Sequence, residues 1–338
     1  MDIQQLVIQH LPTKRRTSPH GWIVFNAPCC QHRGHRGDTR SRGNVKFSQD
    51  GTIGGNCYNC GFKFRFDGVN LSDSFISWLT WLGVERSVIQ SIKLQLLAQD
   101  IEGRSATNTS LITANTTNFP SVELPQDSLN ICTLLEEGCD DPAFLKCMEY
   151  LTTRGEDILT GYDYFWCPST KHNMNHRIII PFYHSTDVVG YTGRYAGKPP
   201  PGIPKYYNSV VPQGYLFNQN VLQTNRQFVV IVEGPFDAIA IQGISALGST
   251  IRDLQILAIS NSGQTPVVLP DRQRKNQDLI DIALEFGWHV SFPDWEDQIK
   301  DAADACLAYG QIYTITSALA ARTSNPIEIG LKRKMFQG

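Results

Sequence analysis

Apolar positions along this chain follow two rhythms. From about Leu129 onward they form short continuous runs, Phe228–Val232, Pro266–Leu269 and Trp288–Phe292. Runs of this length read as strands covered on both faces of a sheet. Between the last two, Asn276–Phe286 sets Leu279, Ile280, Ala283 and Phe286 on one side of a helix. Strand, helix and strand at that interval predict a parallel α/β sheet. Nearer the N-terminus, Leu71–Leu97 carries Phe75, Trp78, Leu79 and Leu82 at helical spacing. Phe62-Lys63-Phe64-Arg65-Phe66 instead alternates with period two, which puts three rings on one face of a strand and two cations on the other. The rings read as the core of a small domain and the cations as a solvated face. From Gly103 to Val122, Ser, Thr and Asn fill more than half the positions. Such a segment buries too little apolar surface to offset its ordering entropy, which predicts a linker.

Composition changes this picture only locally. The chain has 338 residues, 41% hydrophobic and 18% charged, with 30 Lys and Arg against 32 Asp and Glu. A length prior of about 150 residues per domain suggests two domains. The net charge of −2 excludes nucleic-acid binding by overall charge. It also hides a basic stretch, since Lys14–Lys46 holds eight Lys or Arg and one acid, Asp38. Nine cysteines, an odd number, point to a reducing compartment, and the order of apolar and basic residues at the N-terminus is not that of a signal peptide. No run approaches the roughly 18 apolar residues of a membrane span. A cytoplasmic protein is the expectation.

The first candidate chemistry is a metal site. Cys29-x-x-His32 and Cys57-x-x-Cys60 are two ligand pairs separated by 24 residues, and Gly54, Gly55 and Gly61 flank the second pair. Thiolates and an imidazole so spaced close a tetrahedron around Zn²⁺, leaving no open position, as in a structural site. Cys30 and His35 also lie within reach, and Cys30 can stand in for Cys29. Cys132, Cys139, Cys147, Cys167 and Cys306 lack such spacing and read as ordinary buried residues. Arg33, Arg36, Arg40 and Arg42, with Lys63 and Arg65, are candidates to track a phosphate backbone.

The second is a set of carboxylates. Glu233 follows the run Phe228–Val232 directly, with Asp237 four residues on. Asp271 follows Pro266–Leu269, and Asp294, Asp301 and Asp304 follow Trp288–Phe292. Acids at successive ends of parallel strands converge on the sheet edge where α/β folds bind ligands. Hard oxygen ligands there suit Mg²⁺ or Mn²⁺, the metals of phosphoryl transfer.

With these residues in hand, the chain resembles the primases of bacteria and tailed bacteriophages, including the stand-alone primases of T-even-like phages. The two ligand pairs resemble the primase zinc ribbon. Glu233-Gly-Pro-Phe-Asp237 resembles the first motif of the Toprim fold, and Asp271 and Lys300-Asp301 with Asp304 resemble its later acidic segments. Arg177-Ile-Ile-Ile-Pro-Phe182, Gly193-Arg194 and Pro204-Lys205-Tyr-Tyr-Asn208-Ser209 resemble the basic subdomain peculiar to primases. The resemblance implies a zinc-binding domain over 1–98, a polar linker over 99–128, a basic subdomain of the RNA polymerase core over 129–225, a Toprim catalytic subdomain over 226–310 and a C-terminal helical segment over 311–338. It implies template-directed synthesis of short RNA primers on single-stranded DNA from ribonucleoside triphosphates. Glu233, Asp271 and Asp301 would hold Mg²⁺ or Mn²⁺, with Asp237 and Asp304 in support. Arg194, Lys205 and Asn208 would contact template and nucleotide. The chain has no G-x-x-x-x-G-K-[ST] motif, so the replicative hexameric helicase beside which such primases work would be a separate partner. One motif departs from the pattern: Asp271-Arg272-Gln273 has a neutral residue where a second acid is usual. That keeps a non-catalytic single-strand-binding or helicase-associated adaptor open at this point, and a Toprim nuclease or topoisomerase-like enzyme as a third class.

Overall fold

A computed structural model describes residues 2–106, 119–209, 211–248, 250–272 and 278–336. Residues 107–118, the middle of the expected linker, and Gln273 lie outside the described residues. The chain divides into two compact units, Met1–Thr113 and Ala114–Gly338.

The first unit is built on an antiparallel sheet in chain order, β1 (Arg15–Thr17), β2 (Ile23–Phe25), β3 (Gly43–Phe47), β4 (Ile53–Cys57) and β5 (Lys63–Phe66). In β5 the alternation resolves as read: Phe64 and Phe66 are buried while Lys63 and Arg65 are exposed. Phe64 lies flat on Trp78, ring centroids 3.8 Å apart. It also crosses Gly55 of the neighbouring strand, where a Cβ would sit 2.3 Å from the Phe64 ring. Leu71–Leu97 is two helices rather than one, Asp73–Trp81 and Arg86–Ala106. The first is capped by Ser72, whose hydroxyl accepts from the Phe75 N–H. It ends at Gly83, whose φ of +84° is the left-handed turn that closes helix C-termini. The second helix carries regular structure beyond residue 98.

In the second unit, β6 (Leu129–Asn130), β7 (Phe165–Trp166), β8 (Arg177–His184), β9 (Asp187–Tyr195) and β10 (Tyr206–Asn208) form an antiparallel sheet with β10 at one edge. A second sheet has the order β12-β11-β13-β14-β15, from β11 (Phe228–Val232), β12 (Ile244–Ser245), β13 (Thr265–Val268), β14 (His289–Ser291) and β15 (Arg322–Thr323). Its first four strands are parallel and β15 is antiparallel. The three apolar runs of the sequence are β11, β13 and β14, and the helix between the last two is Asp278–Phe286 with Leu279, Ile280, Ala283 and Phe286 buried. One core joins both sheets, in which Ile178, Ile180 and Phe182 of β8 share a cluster with Val230, Val232 and Phe236. Phe119 is buried in that cluster, and the Val122 N–H donates to the Val188 carbonyl at 2.7 Å, so the second unit begins ahead of residue 129. Among the described residues no helix is long and apolar enough to cross a membrane.

Candidate active site and metal centre

The acids reach one place because the parallel strands end together. Glu233 is the residue after β11 and is 7% exposed. Its carbonyl accepts from the Ser245 hydroxyl at 2.6 Å, which ties the strand end to β12. The chain then turns into the helix Pro235–Ala240, with Pro235 in its first turn, where a missing N–H costs nothing. Asp237 lies in that turn and accepts from the Ala303 N–H through Oδ1 at 3.0 Å. Asp301 caps the helix Ala302–Tyr309, accepting from the Asp304 N–H at 2.8 Å. Asp271 is drawn toward Asp301 by its neighbour Arg272. The Arg272 N–H donates to the Lys300 carbonyl at 2.7 Å, and its guanidinium donates to the carbonyls of Pro293 (2.8 Å) and Glu296 (3.0 Å).

Glu233, Asp237, Asp271 and Asp301 thus line one cleft of about 250 Å³, and Arg154, Thr192, Lys205, Tyr206 and Asn208 line it with them. Asp304 is half-buried beside the cleft, and Asp294 is exposed away from it. Burial, then the charges of Asp301 and Asp271, push the Asp237 carboxyl well above the usual carboxylate range. Burial and Asp301 push Asp304 up as well. So many carboxylates in one cleft repel one another, and a hard divalent cation is the partner that relieves this. Carboxylate oxygens are the donor type that Mg²⁺ and Mn²⁺ take.

This repulsion has a measurable consequence. In the metal-free chain Asp237 binds its proton more tightly folded than unfolded, so stability falls as pH rises from 3.8 through the raised folded value. Asp237→Asn keeps the Oδ1 acceptor for Ala303 and removes the charge. We expect the variant to have a higher melting temperature than the wild type at neutral pH without metal, and Mg²⁺ to stabilise the wild type more than the variant. Equal melting curves at pH 4 and pH 7.5 for both proteins would contradict this. The site is also tightly fitted at Gly234, where a Cβ would lie 2.7 Å from Asp237 Oδ2.

At the edge of the antiparallel sheet, β10 pairs with β9 so that Tyr206 faces Arg194 and Asn208 faces Thr192. The Thr192 hydroxyl donates to Asn208 Oδ1 at 2.5 Å. Of the three residues expected to contact template and nucleotide, Lys205 and Asn208 line the cleft and Arg194 does not. Arg194 is 3% exposed and donates through Nη1 to the carbonyls of Tyr195 (2.5 Å) and Gly197 (3.5 Å).

In the first unit, the sulfurs of Cys29, Cys30, Cys57 and Cys60 all lie within 4.8 Å of one another. Cys29 approaches Cys60 at 3.5 Å and Cys30 approaches Cys57 at 3.4 Å. Zinc–sulfur bonds of about 2.3 Å put tetrahedral sulfurs about 3.8 Å apart, so the cluster fits Zn²⁺. The Asn59 amide donates to Cys30 Sγ at 3.3 Å, the kind of outer contact that orients a ligand. In the absence of a cation, burial pushes the Cys30 thiol up to about 11. A bound cation reverses that preference.

The fourth member of the group is Cys30, and His32, which the spacing paired with Cys29, lies outside it. Cys29–His32 is a single helical turn after Pro28. That turn aims the two adjacent sulfurs at different partners, while the exposed His32 ring stacks on Trp81 at 5.4 Å and 7°. Two of the nearby cations also hold the knuckle itself. Arg33 donates to the Cys60 carbonyl at 2.7 Å, and Arg42 donates to the Asn59 side chain.

No family model matches the chain, and no curated protein matches it. Among solved structures it is similar to the DnaG primase catalytic domain bound to ssDNA, at 14% identity and a TM-score of 0.44, over 61% of this chain and 83% of that one. It is similar to the Escherichia coli primase catalytic core at 17% identity and a TM-score of 0.43, over 57% and 76%. It is also similar to the primase fragment of the bacteriophage T7 primase-helicase protein at 11% identity and a TM-score of 0.36, over 88% and 99%. Function is therefore read from the site itself.

Arg154 is the cleft residue that sequence reasoning missed. It follows the helix Pro142–Thr152, far in sequence from both the basic and the acidic motifs. Its Nε and Nη2 donate to the Tyr150 hydroxyl at 3.0 and 2.7 Å, and it lies near Asp301. The local signal is slight: an Arg-Gly pair closing a helix, with Gly155 at a φ of +98°.

Proposed function

We propose that this chain is a DNA primase of the zinc-ribbon and Toprim type, a nucleotidyltransferase that makes short RNA primers on single-stranded DNA. The observation that carries the reading is the single cleft in which Glu233, Asp237, Asp271 and Asp301 face Lys205, Asn208 and Arg154. A cleft lined by both carboxylates and cations suits a metal-bound triphosphate. The four-cysteine cluster in the same chain and the order of the motifs support the same reading.

Glu233, Asp271 and Asp301 would hold Mg²⁺ or Mn²⁺, which when bound supplies charge neutralisation around the reacting phosphate. Lys205 and Arg154 hold the triphosphate of the incoming ribonucleotide, and Asn208 orients it. The 3′-oxygen of the preceding ribonucleotide attacks the α-phosphorus, the new P–O bond forms, and the α–β bridging P–O bond breaks to release pyrophosphate. Glu233 takes the proton of the attacking hydroxyl. The first unit, with its zinc knuckle, contacts the template and favours particular start sites. The chain works beside a separate hexameric helicase.

The test is ribonucleotide incorporation on random single-stranded DNA with Mg²⁺ or Mn²⁺, with and without a replicative helicase. Short RNA products that require a divalent cation are expected. No products under any of these conditions, with single-stranded DNA still bound, would overturn the reading in favour of a binding adaptor.

A further inference from the structure

Arg194 lies between two aromatic rings, and each ring also meets a cation of the cleft. Its guanidinium carbon is 5.0 Å from the centroid of Tyr150 and 5.2 Å from that of Tyr206. Tyr150 accepts both hydrogen bonds from Arg154, whose guanidinium carbon lies 5.2 Å from the same ring. Tyr206 lines the cleft, and the Lys205 Nζ lies 5.9 Å from its centroid. The result is a ladder, Arg154, Tyr150, Arg194, Tyr206, Lys205, whose two ends enter the cleft and whose middle is buried.

From this ladder we infer that Arg194 is a positioning residue, setting the two cleft cations Arg154 and Lys205 through the rings of Tyr150 and Tyr206 rather than touching substrate itself. The inference rests on the proposed function only in what the cations are for. Three observations carry it. Arg194 is 3% exposed, so a phosphate in the cleft meets Tyr206 before it meets the guanidinium. Nη1 is committed to the carbonyls of Tyr195 and Gly197, which fixes the plane of the group within its own strand end. Among the described residues Nε has no hydrogen-bond partner, which leaves the ring faces as its contacts. Only a flat, delocalised cation serves two faces at once; an ammonium is a compact point charge that cannot.

The role is separable from direct phosphate contact because a direct contact adds to those of Lys205 and Arg154, whereas a positioning residue acts through them. The experiment is calorimetric binding of inorganic tripolyphosphate with Mg²⁺ to the full chain. The proteins compared are wild type, R194K, K205M, R154M and the doubles R194K/K205M and R194K/R154M, each with its melting temperature. We expect R194K to weaken binding about tenfold, the size of one lost charge-assisted contact. In each double, the second substitution should cost less than it does alone, because the cation it removes is already misplaced. Binding by R194K within about twofold of wild type, or losses that multiply in both doubles, would overturn the inference. If R194K does not fold, Tyr206→Leu removes one rung, and its double with K205M must show the same non-additivity. Primer synthesis measured on the same preparations separates the two claims. The expected binding pattern in a chain that makes no primers would leave the role of Arg194 standing and overturn the polymerase reading.

Discussion

Glu233→Gln is expected to lower primer synthesis about a thousandfold or more, equivalent to roughly 4 kcal/mol of transition-state stabilisation. The substitution preserves shape, and the Glu233 carbonyl that anchors Ser245 is untouched, so the strand end stays in place. What changes is charge, at a position only 7% exposed and shared with Asp237, Asp271 and Asp301. In so enclosed a site one carboxylate matters both to cation affinity and to the proton leaving the attacking hydroxyl, and an amide serves neither. Relief of repulsion among the acids should leave the metal-free variant at least as stable as the wild type. The measurement is labelled ribonucleotide incorporation at saturating template, with single-stranded DNA affinity followed in parallel. Activity within tenfold of wild type would remove Glu233 from the catalytic role proposed for it.

The other large effect is on folding. Cys57→Ser is expected to abolish zinc binding and to lower the melting temperature of the unit Met1–Thr113 steeply, while leaving the transition of the second unit in place. Cys57 ends β4, Cys29 and Cys30 sit on the turn after Pro28, and the local cluster around them contains little beyond Ala27, Phe62 and Trp81. So small a cluster depends on its metal, and structural zinc contributes on the order of 10 kcal/mol in comparable modules. Cys30→Ser should behave in the same way, and His32→Ala should keep its zinc. Metal analysis of the three purified variants distinguishes a four-cysteine site from one completed by histidine. Zinc lost from His32→Ala and kept by Cys30→Ser would reverse the assignment.

Much of this arrangement is written locally in the chain. The runs Phe228–Val232, Pro266–Leu269 and Trp288–Phe292 become β11, β13 and β14, because continuous apolar segments need cover on both faces and a parallel sheet supplies it. Once those strands are parallel their ends coincide, so an acid just after each of the first two is placed by chain order alone. That is why Glu233 and Asp271 share a cleft. The knuckle Cys57–Cys60 is legible for the same reason, being a tight turn with its glycines beside it. So is the alternation of β5, where a period of two assigns every ring to the core.

Other features depend on direction and on partners distant in sequence, which spacing does not encode. Spacing alone does not choose between Cys29 with His32 and Cys29 with Cys30. The rotation of one helical turn against Trp81 decides between them. Asp304 and Asp294 share the acidic segment with Asp301, yet only Asp301 opens into the cleft. Arg154 enters the cleft from a helix end some 80 residues before Glu233, with Tyr150 holding its guanidinium in place. Arg194 carries the motif that resembles a substrate contact, but the packing of Tyr150 and Tyr206 turns it inward. By itself the sequence determined that β5, β11, β13 and β14 form and which residue types gather at the ends of the last three, because those follow from local periodicity. Only the tertiary structure decided which side chains face the cleft or the metal, because that is set by long-range packing around each one.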